Sequence, residues 1–120
     1  MDATNHLAKA KRNKQFLIAH LTGIIEKCPD WASIVAFYSA LHFVDAYLKK
    51  QYNLDFQHHA ERLTFMSVNV IEIYAPYSRL FDYGFDSRYK SIADTPSYEE
   101  VKSAIDFDLK DVEEFVLSRI

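Results

Sequence analysis

The sequence has little that would let the chain turn sharply. It contains two glycines and three prolines in 120 residues, whereas sheet-rich domains need many tight turns built on Gly, Pro and Asn-Gly pairs. The shortage excludes a hairpin-based architecture and points to few turns and long helices. A single cysteine, Cys28, excludes an intrachain disulfide and any CxxC metal or redox motif. A lone thiol suits a reducing cytosol. No basic segment followed by an apolar run opens the chain, so no signal peptide is expected. The longest apolar-rich stretch, Trp31 to Leu48, contains His42 and Asp45, which makes a membrane span a poor reading. A strong excess of either charge is also missing. The formal net charge is −3, not the balance of a strongly basic phosphate-backbone binder. These absences describe a soluble, cytoplasmic, single-domain protein.

What is present is a core. Apolar residues make up 49% of the chain and aromatics 15%, which excludes intrinsic disorder. A domain of this length buries roughly two thirds of the surface its unfolded chain exposes. Near the N-terminus, Lys9, Lys11, Arg12 and Lys14 form a basic cluster. It reads first as a solvated helix face, and second as a contact for nucleic acid or a partner.

Five segments carry apolar residues at helical spacing. The first runs from about Asn5 to Lys27 on Leu7, Phe16, Leu17, Leu21, Ile24 and Ile25, capped by Thr4 or Asn5 and ended by Pro29. The second starts at Asp30 as N-cap and runs to about Gln51. Ile34, Phe37, Leu41, Val44 and Leu48 make its tightest stripe, but it is apolar nearly all round. Such a helix is buried nearly all round, at the centre of a bundle or at a subunit interface. The third, from about Phe56 to Tyr74 with Asp55 as cap, turns His59, Leu63, Met66, Val70 and Ile73 inward, and Arg62 borders that stripe. The fourth begins near Pro76 and buries Tyr77, Leu80, Phe81 and Phe85, with Gly84 at a kink or a close approach. After a loop over Ser91 to Thr95, Ser97 and Glu100 make a capping box. The last helix then rests on Val101, Ile105, Leu109, Val112 and Val116. Short connections favour antiparallel neighbours. The expected fold is all-α, an antiparallel four- or five-helix bundle.

The informative residues are polar ones set where apolar ones would be cheaper, because an unpaired buried polar group costs about 1–3 kcal/mol. Tyr38, His42 and Asp45 share a stripe on the second helix, with Asp45 placed to take a proton from His42 or hold it charged. His59 and Arg62 share the first turns of the third. The helix dipole there favours a neutral His59. Arg62 suits a rim salt bridge or an anion. On the fourth helix Arg88, followed by Tyr89, falls on the side of Tyr77, Phe81 and Phe85, as a snorkelling arginine over aromatics would. His42, His59, Arg62 and Arg88 could therefore meet in one mixed polar pocket. Established motifs do not occur. The five histidines form no HExxH or HxxxH pair, so no metal is expected, and P-loop, GxGxxG and GxSxG are absent. Cys28 follows a helix C-terminus, where the dipole raises a thiol pKa and disfavours a nucleophile. No cofactor is implied.

The stretch Ala36-Phe37-Tyr38-Ser39-Ala40-Leu41-His42-Phe43-Val44-Asp45-Ala46-Tyr47-Leu48 resembles the signature helix of the HEPN superfamily. His59-x-x-Arg62 resembles the histidine–arginine turn that follows it. Tyr77-x-x-Leu80 and Ser87-Arg88-Tyr89 resemble later positions of small HEPN proteins. The resemblance spans about residue 30 to the end. It implies a helical bundle that dimerises through its long helices. It also implies a place among proteins that are often RNases, frequently toxins paired with a nucleotidyltransferase antitoxin. The arginine followed four to six residues later by histidine, which the RNase members carry, is missing here.

Two readings follow. In the first the chain is a non-catalytic, dimeric HEPN-like module that binds a protein partner, of nucleotidyltransferase type for example, or a nucleotide or RNA. Tyr38, His42, Asp45, His59, Arg62, Arg88 and Tyr89 are the candidate ligand contacts. In the second it is a metal-independent RNase, with His42 or His59 as general base and Arg62 or Arg88 stabilising the phosphorane.

Overall fold

Helix α2, Pro29–Tyr52, is the axis around which the other elements are arranged. In this computed structural model residues 1–20, 23 and 25–120 are described, and among them the regular structure is entirely helical. Besides α2 it comprises α1 (Ala3–Ala19), α3 (His59–Asn69), α4 (Tyr74–Tyr89), α5 (Tyr98–Ser103) and α6 (Lys110–Leu117). A π-helical stretch, Ala104–Leu109, joins α5 to α6, so these run on as one C-terminal helix and the described residues make five helices in all.

The sequence explains why α2 is long and where it stops. Pro29 sits at its first position, where the missing N–H has no intrahelical acceptor. No glycine or further proline interrupts it. Lys49 and Lys50 favour its negative end. Asn53 then takes up a left-handed conformation, φ 55°, and its backbone N–H closes on the carbonyls of Leu48 and Lys49. Cys28 is the N-cap, not Asp30 as expected, and it offers no side-chain cap bond.

α2 packs against α1, α4 and the C-terminal helix. Ser39 Oγ donates to the Ala10 carbonyl at 2.8 Å, which holds α1 antiparallel to it. Gly84 lets α4 come close. A Cβ built there would lie 2.9 Å from the Phe37 Cβ, so the sequence's second option, a close approach, is the one realised. The C-terminal helix follows α2 in the same sense, with Tyr47 against Phe115 and Gln51 Nε2 donating to the Arg119 carbonyl at 2.6 Å. The antiparallel expectation therefore holds for α1 and α4 but not for this helix. Arg79 forks onto the buried Asp108 carboxylate, Nη2 to Oδ1 at 2.8 Å, and ties α4 to the π stretch. In a π turn the repeat is wider than in an α turn. That keeps Val101, Ile105 and Leu109, spaced four apart, on one buried face.

Phe37, Phe43, Val44, Leu48, Met66, Tyr77, Leu80 and Leu109 are closed to solvent at the centre. Several expectations need correction. α1 ends at Ala19 with a turn at His20, and Gly23 and Ile25 to Lys27 are again helical, so the single helix expected to reach Lys27 is broken; of those residues only Ile25 is buried. The inward positions read at Leu21 and Ile24 lie outside the described residues. Asp2, not Thr4 or Asn5, caps α1 by accepting from the Asn5 N–H. α3 begins at His59, not Phe56. Its N-cap is His58, since Asp55 is engaged with Lys49, and the chain re-forms as α4 from Tyr74. Phe16 and Phe85, read as inward, are exposed, and Ile34 is only half-buried. The Ser97–Glu100 capping box forms in both directions. Among the described residues no helix is long and apolar enough to cross a membrane.

Candidate functional site

Packing of α3 and α4 beside α2 decides which polar groups meet. Asp45 turns toward α3 and receives Arg62 as a fork, Nε to Oδ1 at 2.8 Å and Nη2 to Oδ2 at 3.2 Å. Nη2 also donates to the Phe56 carbonyl at 3.0 Å, and Nη1 lies 3.3 Å from His59 Nδ1. Arg62 is 4% exposed. A buried guanidinium is tolerable only when its donors are used this way. His59 lies edge-on between Phe37 and Phe81, centroids 5.5 Å from each. Burial lowers its pKa first, and Arg62 and Arg88 add to that, so the ring is neutral and presents Nδ1 as the acceptor toward Arg62. The Tyr77 hydroxyl, fully buried nearby, has no hydrogen-bond partner of good geometry among the described residues, although the Arg62 guanidinium is close enough to act on it; burial pushes its pKa up and Arg62 opposes that shift. This inner set is a structural tie between α2 and α3.

Arg88 is elsewhere. Its Nη1 donates to the Tyr38 hydroxyl at 2.9 Å and its Nε to the Gly84 carbonyl at 3.1 Å. The guanidinium lies over three rings, Phe37, Tyr38 and Tyr89, at 5.5, 5.6 and 5.2 Å. An arginine over aromatics is present as expected, but the rings are Phe37, Tyr38 and Tyr89 and not the Tyr77, Phe81 and Phe85 read from its own helix face. His42 is not partnered by Asp45, which Arg62 occupies. Its Nδ1 instead meets His6 Nδ1 at 2.9 Å. One ring must donate and the other accept. Burial lowers both pKa values, and the neighbouring imidazole lowers that of His42 further, while Asp45 pulls each the other way. Two protonated rings at that distance would repel, so at most one carries charge in the folded pair.

His42, His59, Arg62 and Arg88 thus fall into three groups, His59 with Arg62, Arg88 with Tyr38 and His42 with His6, not one pocket, and the Phe37 ring lies against both His59 and Arg88. Tyr38 and His42 open instead on a cleft of about 280 Å³ between α1 and α2, whose other walls are Lys9, Arg12, Asn13, Ile34 and Val35. Here the basic cluster and the polar stripe of α2 meet. Among the described residues neither Lys9, Arg12 nor Arg88 forms an ion pair. Lys14 does, with Glu113, and so is withdrawn from the cleft. Tyr89 stands beside Arg88, outside the residues that line the cleft, and is exposed. Three residues with structural partners were missed in the sequence. His6 was hidden in a polar segment, although its spacing to Ala10 and Leu17 marks the buried face of α1. Arg79 and Asp108 gave no signal, because they are 29 residues apart and on different helices. Among the described residues no three His, Cys, Asp or Glu side chains gather where a metal ion could be held.

Chemically, the cleft offers two cationic side chains, an amide, a phenol already bound to a guanidinium, and an imidazole. Cationic side chains with an amide and a phenol are groups whose donors suit an oxyanion. Compared with known protein families, characterised proteins and solved structures, the chain gives no match.

Proposed function

We propose that the chain is a HEPN-like binding module without catalytic activity, which takes a phosphate-bearing ligand, a nucleotide or RNA, in the α1–α2 cleft. The observation that carries this reading is the division of the cations. Arg62 is spent on Asp45 inside the fold, while Lys9 and Arg12 flank an open cleft lined by Tyr38 and His42. The RNase reading loses support at the same point. An arginine with its donors used internally is poorly placed for a phosphorane, and His59 is packed between two rings with Nδ1 turned to that arginine. The HEPN-like assignment rests on the order of the Ala36–Leu48 helix, the His59–Arg62 turn and the Ser87–Tyr89 run in a helical chain.

The test is equilibrium binding of labelled ATP and of a short RNA. Lys9→Ala with Arg12→Ala lowers affinity by about tenfold or more and flattens its salt dependence, since each phosphate contact contributes to that slope. The same RNA stays intact on prolonged incubation. Cleavage that disappears in His42→Ala or Arg62→Ala would instead establish the RNase. The module is proposed to act as a homodimer, alone or beside a nucleotidyltransferase-type protein. A sedimentation profile that stays monomeric at high concentration refutes the dimer.

A further inference from the structure

Helix α4 carries Phe81, Phe85 and Tyr89 at four-residue spacing, so their rings follow one another along a single face. Phe81 stacks on Phe85 with centroids 6.1 Å apart and planes at 30°, and Phe85 meets Tyr89 at 4.9 Å and 53°. The inner end of this row is anchored against Phe37 and His59. Its outer end is bare: Phe85 is 40% and Tyr89 68% exposed. The exposed rings do not stand alone. Arg88 lies over Tyr89 on one side and over Tyr38 on the other, and Tyr38 is a wall of the α1–α2 cleft. A path therefore runs from bare aromatic faces, across an arginine in no ion pair, to a cleft flanked by Lys9 and Arg12. Asp82 and Asp86 lie three residues before Phe85 and Tyr89, about 60° round the helix from each, so two carboxylates border the ring row on one side and a ligand has to approach from the Arg88 side.

We propose that Phe85 and Tyr89 form a base-stacking ledge for single-stranded nucleic acid whose adjoining phosphate sits in the α1–α2 cleft. The proposal rests on reading that cleft as a phosphate site and adds a second subsite with different chemistry. Flat rings exposed next to unpaired cations suit a ligand that is itself a planar ring joined to an anion. Every base presents such a face, so stacking is tolerant of sequence. A duplex hides its base faces inside the stack, so only an unpaired strand can use the ledge. A protein partner would have to bring carboxylates to Lys9, Arg12 and Arg88 and a matching apolar surface to the ledge. A single strand supplies both along its length, a base for the ledge and a phosphate for the cleft.

The experiment compares two labelled six-residue ribo-oligomers with the same phosphates, oligoadenylate and its abasic counterpart, by fluorescence anisotropy. Wild type binds oligoadenylate about tenfold or more tightly than the abasic strand, the size expected of stacking a single base. Tyr89→Ala and Phe85→Ala remove that preference while leaving abasic binding unchanged. Both residues are exposed, so the variants keep the fold, checked by circular dichroism. Lys9→Ala with Arg12→Ala weakens both probes alike. If wild type binds both strands equally, or Tyr89→Ala weakens both equally, the ledge proposal is overturned while the cleft reading stands. If neither strand binds, or the Lys9/Arg12 variant binds as wild type does, the cleft reading itself fails. If Tyr89→Ala changes only self-association by sedimentation, the ledge is an interface between copies and the proposal is wrong.

Discussion

Asp45→Ala leaves the Arg62 guanidinium in place with two of its acceptor contacts gone. Arg62 is 4% exposed, so water reaches it poorly, and the Phe56 carbonyl and the neutral His59 ring supply no counter-charge. Removing one partner of a buried pair costs about 3–5 kcal/mol. The Asp45 side chain is 15% exposed, so the lower end applies, about 3 kcal/mol. Against a total of roughly 5–15 kcal/mol the variant still folds. Its urea midpoint falls by about 1–3 M, taking a slope of about 1–3 kcal/mol per M. The double replacement Asp45→Leu with Arg62→Met removes both charges and keeps similar volumes. It should fall within about 1 kcal/mol of wild type, because the desolvation of two ions is no longer offset or required. Urea unfolding followed by far-UV circular dichroism for Asp45→Leu alone, Arg62→Met alone and the double closes the cycle. A single variant costing less than about 1 kcal/mol would refute the structural role and return Arg62 to the list of ligand contacts. So would a double variant as unstable as the singles.

Gly84→Ala sets two effects against each other. A better helix former contributes up to about 1 kcal/mol, but the new methyl meets Phe37 Cβ at 2.9 Å and Cγ at 3.2 Å, and overpacking costs about 1–3 kcal/mol. A net loss of about 1 kcal/mol is expected by denaturation, and a gain in stability would show that α4 can shift away from α2. Tyr77→Phe deletes a buried hydroxyl that has no hydrogen-bond partner of good geometry among the described residues, so the variant should be as stable as wild type or up to about 1 kcal/mol more so; a marked loss would mean that the nearby Arg62 guanidinium donates to it. Stability should also fall in mild acid. His6, His42 and His59 are all held below their ordinary pKa of 6.5, so the unfolded chain binds more protons once the pH drops toward that value. The stability they contribute is complete above about 6.5 and is lost as pH falls through the folded pKa values. Urea midpoints between pH 7.5 and 5 would show the decline, and His6→Leu should make it shallower; an unchanged slope would mean that the pair does not titrate as described.

Helix content and the central place of α2 were legible because they depend on composition and periodicity, which are properties of single segments. The capping box at Ser97 was legible for the same reason. Caps at Asp30 and Asp55 were misread because each carboxylate has a competing geometry: proline at the first position moved the start of α2 to Pro29, and Lys49 drew Asp55 away. The candidate site was half legible. Side chains on one helix face can be grouped by angle, and Tyr38, His42 and Asp45 do share a stripe. Which of them pairs with which depends on residues tens of positions away. Asp45 went to Arg62 and left His42 to His6, a choice made by the approach of α1 and α3 and invisible in the local pattern. Exposure of Phe85 and Tyr89 was equally hidden, because a helical wheel shows which residues share a face but not where the neighbouring helix stops covering it.

The widened turn at Ala104–Leu109 has a further consequence for how this chain could vary. A stretch that accommodates one residue more than an α turn would is also a place where one residue can be lost. Omitting Phe107, which points to solvent, would let the backbone close to ordinary α geometry, with the helix past Lys110 still presenting Val112 and Val116 inward. The C-terminal helix therefore holds a length tolerance of one residue at a defined point, whereas the same omission inside α2 would swing His42 and Asp45 out of their faces together.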